Sequence, residues 1–406
     1  MKRKILSGIG IFVLILAGLA GCGIAVRDAA SGETPAGDPL VCTGNNQFAF
    51  DLYRRLATDP AYAGDNLFFS PYSVSSALAI ACEGARGTTA DEIGAVLHLP
   101  ANDTLRREGF ATLNRESGTC TLRTANALWA EETYSLLPDY INVVARWYGA
   151  NVTNLDFIEN PEGSRETINR WVEEETEDRI RDLLPPGSID PLTRLVITNA
   201  IYFKGTWAKQ FDADTTQEEG FRAGPNEMVT VPMMHGDAVY PYAETETLQV
   251  LEMPYAHESG LAMLVLLPKE DSLAAAEEAL DAERFIGLRE SLVAQNVRVS
   301  FPKFTFDAGY SLPPALAAMG MPTAFTGDAD LSGMDGTKDL LITGVFHKAF
   351  VDVDEEGTEA AAATGIIGGR GVTPAFRANH PFVFLITEKD SGVILFIGRV
   401  VNPEGA

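Results

Sequence analysis

Ser300 and Lys303 have the S-x-x-K spacing of serine acylases, in which the serine and lysine share one face at the start of a helix. The surrounding run, 297–306, alternates apolar and polar residues as a strand does, and it contains Pro302. The companion S-D-N and K-T-G motifs are absent. A serine acylase that uses Ser300 and Lys303 is therefore a disfavoured alternative.

Other catalytic and metal-binding motifs are also missing. There is no G-x-S-x-G elbow, no H-E-x-x-H pair and no phosphate-binding P-loop. No two histidines have the spacing of metal ligands. Each is expected to be structural: His98, His235, His257, His347 and His380. The sequence predicts no catalytic residue, no metal site and no cofactor.

The segment 355–364 has an unusual composition. It reads EEGTEAAAAT and leads into the glycine-rich stretch 365–371. A flexible surface loop would explain these small side chains. They could also slide between strands that are already paired, where large or charged side chains would clash. In a strand, alternate residues share a face, so one face would carry Thr358, Ala360, Ala362 and Thr364.

Helices come first along the chain and strands dominate later. Helical periodicity predicts helices over 47–57, 73–82, 89–96, 138–147 and 164–181. Runs of β-branched and aromatic residues predict strands over 195–203, 248–253, 261–267, 297–306, 345–353, 381–387 and 392–401. This order predicts an α+β protein with mainly antiparallel sheets.

The first 21 residues have the layout of a signal peptide, with basic residues at 2–4 followed by an apolar run over 5–19. The run ends in Leu-Ala-Gly-Cys22, which resembles a bacterial lipobox, in which the signal peptidase cuts before the cysteine and the cysteine thiol carries a diacylglycerol. We therefore expect a secreted, cell-surface lipoprotein anchored to the membrane through Cys22. An ordinary signal peptide with a chance cysteine is the alternative.

Residues 22–45 are rich in glycine, alanine and proline and lack apolar periodicity, so they are predicted to form a flexible tether. No comparable linker follows, and 46–406 is expected to fold as one domain and act as a monomer. The net charge of −25 excludes nucleic acid as a general partner, because such a surface repels phosphates. The remaining cysteines form no disulfide framework, and a Cys42–Cys120 bridge stays open.

Five stretches, in order, resemble the serpin family of serine protease inhibitors. The segment EEGTEAAAAT resembles the reactive-loop hinge of its inhibitory members. Residues 66–73 resemble the start of the helix under the main sheet, and residues 198–207 resemble the third strand of that sheet. Residues 376–382 and 395–403 resemble the C-terminal strands. The resemblance covers the chain from 46 to its end.

The resemblance implies a serpin fold, with three mainly antiparallel β-sheets, about eight or nine helices and an exposed reactive-centre loop. The family's polar cluster, which holds the central strands of the main sheet and lets them part, would be Ser70, Ser73, Asn199 and His347. At the top of that sheet, Lys303 and Glu355 would form an ion pair near Trp207. The hinge would comprise Glu355, Glu356, Gly357, Thr358, Glu359, Ala360, Ala361, Ala362, Ala363 and Thr364.

The resemblance also implies a suicide mechanism against a target serine protease. The protease would attack the loop and form a covalent acyl complex, and the freed segment from Thr358 would insert into the main sheet. Family spacing counted back from Pro381 puts the cleaved bond at Arg370–Gly371, whereas counting forward from Gly357 puts it one residue later. We favour Arg370, because a trypsin-like pocket binds a basic side chain and a glycine offers it nothing.

Three alternatives stay open. An elastase-like enzyme cutting near Val372 is the next candidate target. A non-inhibitory serpin that serves as a surface binding protein would carry bulky, charged or proline residues in the hinge, and the run 360–363 is all alanine. A lipid-anchored serine acylase is the remaining, disfavoured one.

Overall fold

The computed structural model describes residues 39–113, 121–256, 260–270, 272–356 and 373–405. These residues contain ten α-helices, two of them with five residues or fewer, which is close to the eight or nine expected. They are α1 (Pro39–Ala57), α2 (Pro71–Gly84), α3 (Gly87–Val96), α4 (Asp103–Leu113), α5 (Pro138–Tyr148), α6 (Pro161–Glu175), α7 (Ala274–Glu278), α8 (Ala282–Glu290), α9 (Pro313–Met319) and α10 (Ser332–Asp335).

The same residues contain fourteen strands, and the predicted α+β class is confirmed. The strands are β1 (Leu67–Phe69), β2 (Thr121–Glu131), β3 (Asn151–Leu155), β4 (Leu195–Lys204), β5 (Gln217–Gly224), β6 (Glu227–Glu244), β7 (Leu248–Pro254), β8 (Leu261–Pro268), β9 (Val293–Pro302), β10 (Phe304–Ser311), β11 (Gly344–Val353), β12 (Ala375–Arg377), β13 (Phe382–Glu388) and β14 (Ile394–Val400).

A five-stranded sheet, in the order β10-β11-β4-β2-β3, holds the residues of interest. Its central strands β4 and β11 are parallel neighbours, paired from Val196 opposite Gly344 to Phe203 opposite Val351. We call this pair the seam. On either side of the seam, β2 and β10 pair antiparallel to their neighbours. The seam is therefore a place where one antiparallel strand could pair with both neighbours.

The other described strands form one nine-stranded sheet, in the order β1-β14-β13-β8-β7-β6-β9-β12, with β5 paired to β6. The 18-residue strand β6 pairs with β5 over 227–233, with β9 over 233–242 and with β7 over 242–244. Two of the three expected sheets are therefore continuous through β6.

Helix α2 and helix α6 cover opposite faces of the five-stranded sheet. All fourteen residues of α2 are buried, and the helix contacts β2 and β4 on one side and β14 on the other. Ser70 caps α2 by accepting a hydrogen bond from the Ser73 backbone N–H, and Pro71 suits its first turn. On the other face, an apolar cluster joins α6 to the sheet through Ile168, Val172, Ala125, Ala127, Trp129, Val196, Ala200 and Phe346.

The boundary predicted between tether and folded domain is wrong. Helix α1 begins at Pro39, so residues 39–45 belong to the fold, and Val41 and Cys42 are buried. Gly44 suggested a linker, but a Cβ at this position would lie 2.3 Å from the carbonyl oxygen of His98. The glycine is present because two backbones approach each other closely.

Candidate functional site

A row of polar side chains crosses the middle of the five-stranded sheet. Asn199 of β4 lies opposite His347 of β11 on one side and opposite Asn126 of β2 on the other. Tyr310 of β10 lies opposite His347, and the two rings stack with their centroids 6.1 Å apart. The seam therefore passes between Asn199 and His347.

The start of α2 completes this cluster. The Ser70 backbone N–H donates to Nε2 of His347 at 3.1 Å. The Asn199 amide N–H₂ donates to both Ser73 Oγ and Asn126 Oδ1. The structure thus brings together all four residues predicted for the cluster and adds Asn126. We call these five side chains the central network.

His347 is held as the neutral tautomer with its proton on Nδ1. Because Nε2 accepts from Ser70, Nδ1 must carry the proton, and it donates to Asn199 Oδ1 at 2.5 Å. The side chain is completely buried. Burial lowers the pKa of His347 to about 3, although its hydrogen bond with Asn199 opposes the shift. The bond that crosses the seam is therefore uncharged at neutral pH.

The top of the seam is held by charge. Lys303 Nζ lies 2.5 Å from Glu355 Oε2, and Thr216 Oγ1 donates to Glu355 Oε1 at 2.7 Å. Burial raises the pKa of Glu355, but the bonds from Lys303 and Thr216 outweigh it and leave that pKa below its ordinary value. The predicted ion pair is thus present, and the carboxylate has a second partner.

Trp207 fastens the chain where it leaves β11. Its indole N–H donates to the carbonyl oxygen of Asp354 at 2.9 Å, and its ring stacks on Tyr255 with centroids 4.6 Å apart. The Phe211 backbone N–H donates to the carbonyl oxygen of Glu355 at 3.2 Å. Trp207, Lys303 and Glu355 therefore lie together as predicted. We call this group, with Thr216, the top anchor.

Several site residues predicted from the sequence lie outside the described residues. They are Cys22 and the signal peptide 1–21, the hinge from Gly357 to Thr364, and the reactive bond Arg370–Gly371. In the described ranges, no helix has the length and apolar character needed to cross a membrane.

The S-x-x-K pair does not have the arrangement that an acylase needs. Ser300 lies on strand β9 rather than at a helix start, and Lys303 is engaged by Glu355. The Ser300 hydroxyl lies instead 3.1 Å from Nδ1 of His235, whose Nε2 lies 3.1 Å from Glu219. Glu219 also pairs with Arg377 of β12 at 2.6 Å. These contacts join β5, β6, β9 and β12 across one face of the sheet.

Comparisons with known proteins agree with this geometry. The family model described as serpin (serine protease inhibitor) matches residues 43–403. A serpin-like protein of Thermococcus kodakarensis is 43% identical over 370 residues, covering 88% of this chain and 85% of that protein. The leukocyte elastase inhibitor of Bos taurus is 42% identical over 378 residues, covering 88% of this chain and 98% of that protein.

The solved structure of uncleaved ovalbumin superimposes with a TM-score of 0.82 at 30% sequence identity, covering 89% of this chain and all of that one. The serpin fold expected from the sequence is thereby confirmed. Sequence and structure together show that this chain belongs to the serpin family.

Proposed function

We propose that this chain is a suicide-type inhibitor of trypsin-like serine proteases. It is cleaved at Arg370–Gly371 and then inserts the segment from Thr358 into the seam. The observation that carries the proposal is the parallel pairing of β4 with β11. A chain that reverses direction after β11 runs antiparallel to it, so between these strands it would be antiparallel to both. The new strand would form two complete antiparallel ladders.

The contacts at the end of β11 support this path. The indole N–H of Trp207 holds Asp354, and the Gln210 side chain donates to the carbonyl oxygen of Glu356 at 2.8 Å. Both Trp207 and Gln210 follow β4 in the chain, whereas Asp354 and Glu356 follow β11. The start of the hinge is thus held beside the end of β4, where an inserting strand would enter.

The residue types of the hinge fit the seam. An inserted strand would separate Asn199 from His347 and break the hydrogen bond between them. Its side chains would face the buried start of α2 on one side, where bulk would clash. The alanines of the hinge add little volume, and a threonine hydroxyl can both donate to and accept from separated polar groups.

Arg370 supplies the specificity. The protease serine adds to the Arg370 carbonyl, the bond to the Gly371 nitrogen breaks, and the new amine leaves with a proton. The ester that remains ties the protease to the inserting segment. Insertion moves the protease before water reaches the ester, and the strain of the native fold drives that movement.

Complex formation with trypsin tests this proposal. Wild type and Arg370→Lys should form a covalent complex that survives SDS, because both present a basic side chain to the pocket. Arg370→Ala should not. A wild type that forms none, or an alanine variant that forms it equally well, would refute the assigned bait. Complex formation with elastase alone would point to cleavage near Val372.

Thermal unfolding after loop nicking separates an inhibitor from a non-inhibitory surface binding protein. Cleaved wild type should unfold at a much higher temperature than intact protein. Thr358→Arg places a charge on the face that must become buried, so we expect it to be cleaved as a substrate with no gain in stability. An unchanged melting temperature in nicked wild type would favour the binding protein.

We also propose that a lipid on Cys22 holds the protein at the cell surface as a monomer. The support is the lipobox-like sequence at the end of the apolar run. Labelled palmitate should enter wild type during growth and not Cys22→Ala, and the alanine variant should leave the membrane fraction. Equal labelling of both proteins would contradict this attachment site.

A further inference from the structure

The connection after α6 lies along the seam on the face opposite α2. Helix α6 ends at Glu175, and two consecutive non-glycine residues, Glu177 and Asp178, have φ of 52° and 61°. This left-handed region favours glycine, so the turn is strained. Ile180, two residues further on, is fully buried in the apolar cluster between α6 and the sheet.

Arg179, between the strained turn and this buried residue, lies over both strands of the seam. Its guanidinium carbon is 5.6 Å from the ring centre of Tyr202 on β4 and 6.0 Å from that of Phe350 on β11. Tyr202 and Phe350 are register partners, and their ring centres are 5.7 Å apart. One cation therefore binds two aromatic faces on opposite sides of the seam.

A second link lies next along β11. Lys348 donates from Nζ to the carbonyl oxygen of Arg181 at 3.1 Å, and its ammonium also pairs with Asp307 of β10 at 2.8 Å. This contact ties the connection to β11 and β10, while Arg179 reaches across to β4. Of the two links, the Arg179 contact is thus the one that spans the seam.

We propose that Arg179 is a positioning residue that holds the seam closed and sets the rate at which a strand can enter it. The effect of this closure on inhibition rests on the proposed function. Neighbouring strands lie about 4.8 Å apart, so an inserted strand would roughly double the distance between β4 and β11. The guanidinium could then lie over one ring only. The double contact exists only in the closed sheet and stabilises that state selectively.

The first test does not depend on inhibition. Amide hydrogen exchange is measured for β4 and β11 in the intact protein, for wild type, Arg179→Gln and Arg181→Gln. The control removes the same charge from the same connection, but the Arg181 side chain bonds to the carbonyl oxygen of Asp178 and touches neither ring. Arg179→Gln should raise exchange in the seam by about fivefold, the loss expected for an exposed cation–π contact. Unchanged exchange, or an equal rise in Arg181→Gln, would overturn the proposal.

A double-mutant cycle shows whether Arg179 acts through the rings. Phe350→Leu keeps an apolar side chain and removes one ring. In that background, Arg179→Gln should change exchange by much less than fivefold, whereas two independent effects would multiply. A full fivefold effect in the Phe350→Leu protein would exclude the double contact as the cause.

Kinetics with trypsin separates this proposal from the proposed function. If the seam opens faster, Arg179→Gln should trap protease with fewer inhibitor molecules consumed per complex, since insertion then competes better with ester hydrolysis. If neither wild type nor the variant forms a complex while exchange still rises, the inhibitory function fails and the closure by Arg179 stands. If both form complexes with the same stoichiometry and equal exchange, Arg179 has no such role.

Discussion

The middle and the top of the seam are held by polar groups of opposite kinds. In the central network, every partner is uncharged and His347, Ser70 and Ser73 have no measurable exposure. In the top anchor, Lys303 carries a formal charge and its side chain keeps 35% of its exposure. The two regions hold the same pair of strands, but the central network is buried and the top anchor is partly exposed to solvent.

This difference separates what each region contributes. Breaking a buried neutral network costs much free energy, because each donor or acceptor that loses its partner remains shielded from water. A partly exposed ion pair is weak and screened by salt, so breaking it costs little. We therefore expect the central network to contribute more to the stability of the closed seam than the top anchor, which holds the chain that leaves β11.

Removal of the Asn199 amide should have the largest effect. Asn199→Ala leaves the Nδ1–H of His347 without its acceptor and Asn126 and Ser73 without a donor. We expect a loss of about 3 kcal/mol in stability against urea, from unsatisfied buried groups and a small cavity. Asn126→Ala is the matched control, because it removes a half-buried partner from the same row and should cost about 1 kcal/mol. Equal losses would contradict the central place of Asn199.

The contributions of the two regions to stability should be lost over different pH ranges as the pH falls. The folded state keeps His347 neutral with a pKa of about 3, against an ordinary value of 6.5, so the unfolded state binds the proton first. The stabilisation is complete above pH 6.5 and should be lost at about 1.4 kcal/mol per pH unit as the pH falls toward 3. Glu355 has a lowered pKa, so its contribution is complete above 4.5 and is lost as pH falls below that value.

The measurement is the free energy of unfolding from pH 7 to 5 for wild type and His347→Gln. Burial also lowers the pKa of His380, so only the difference between the two proteins reports on His347. That difference should shrink as the pH falls. A difference that stays constant between pH 6.5 and 5 would mean that His347 is protonated in the fold.

In the top anchor, Trp207→Phe should cause a smaller loss of stability than Asn199→Ala does in the central network. The variant keeps an aromatic ring to stack on Tyr255 and loses the N–H that binds the carbonyl oxygen of Asp354. One hydrogen bond corresponds to about 1 kcal/mol of stability. Trp207→Leu should lose more, because the stacking is lost too. If the phenylalanine variant were as unstable as the leucine variant, the hydrogen bond rather than the stacking would hold the chain.

Strong periodic patterns predicted the elements of the seam well. Strand β4 was expected over 195–203 and β11 over 345–353, within one residue of their observed bounds. Helix α6 was expected to continue to 181 but ends at Glu175. Nothing in the local sequence marks this end, because it depends on a left-handed turn at two acidic residues that tertiary packing of Ile180 maintains.

The candidate site was predictable only where a family motif named its residues. Asn126 and Thr216 were missed, since β2 was not recognised as a strand and Thr216 lies in a connection. A single polar residue carries no sign of its partner when that partner is 73 residues away, as Asn199 is from Asn126. Register across strands supplies such contacts, and register becomes visible only in the folded sheet.

Lys303→Met should have the smallest effect on stability. It should test the contrast between the central network and the top anchor most directly. The methionine keeps the apolar stem of the side chain, while Glu355 keeps its bond from Thr216 and loses its cation. We expect a loss of about 0.5 kcal/mol at low salt. Because screening weakens the pair, wild type and variant should converge in 1 M salt, whereas the deficit of Asn199→Ala should persist there. A Lys303→Met deficit that is large and independent of salt would mean that the ion pair behaves as a buried one and that the middle and the top of the seam are held alike.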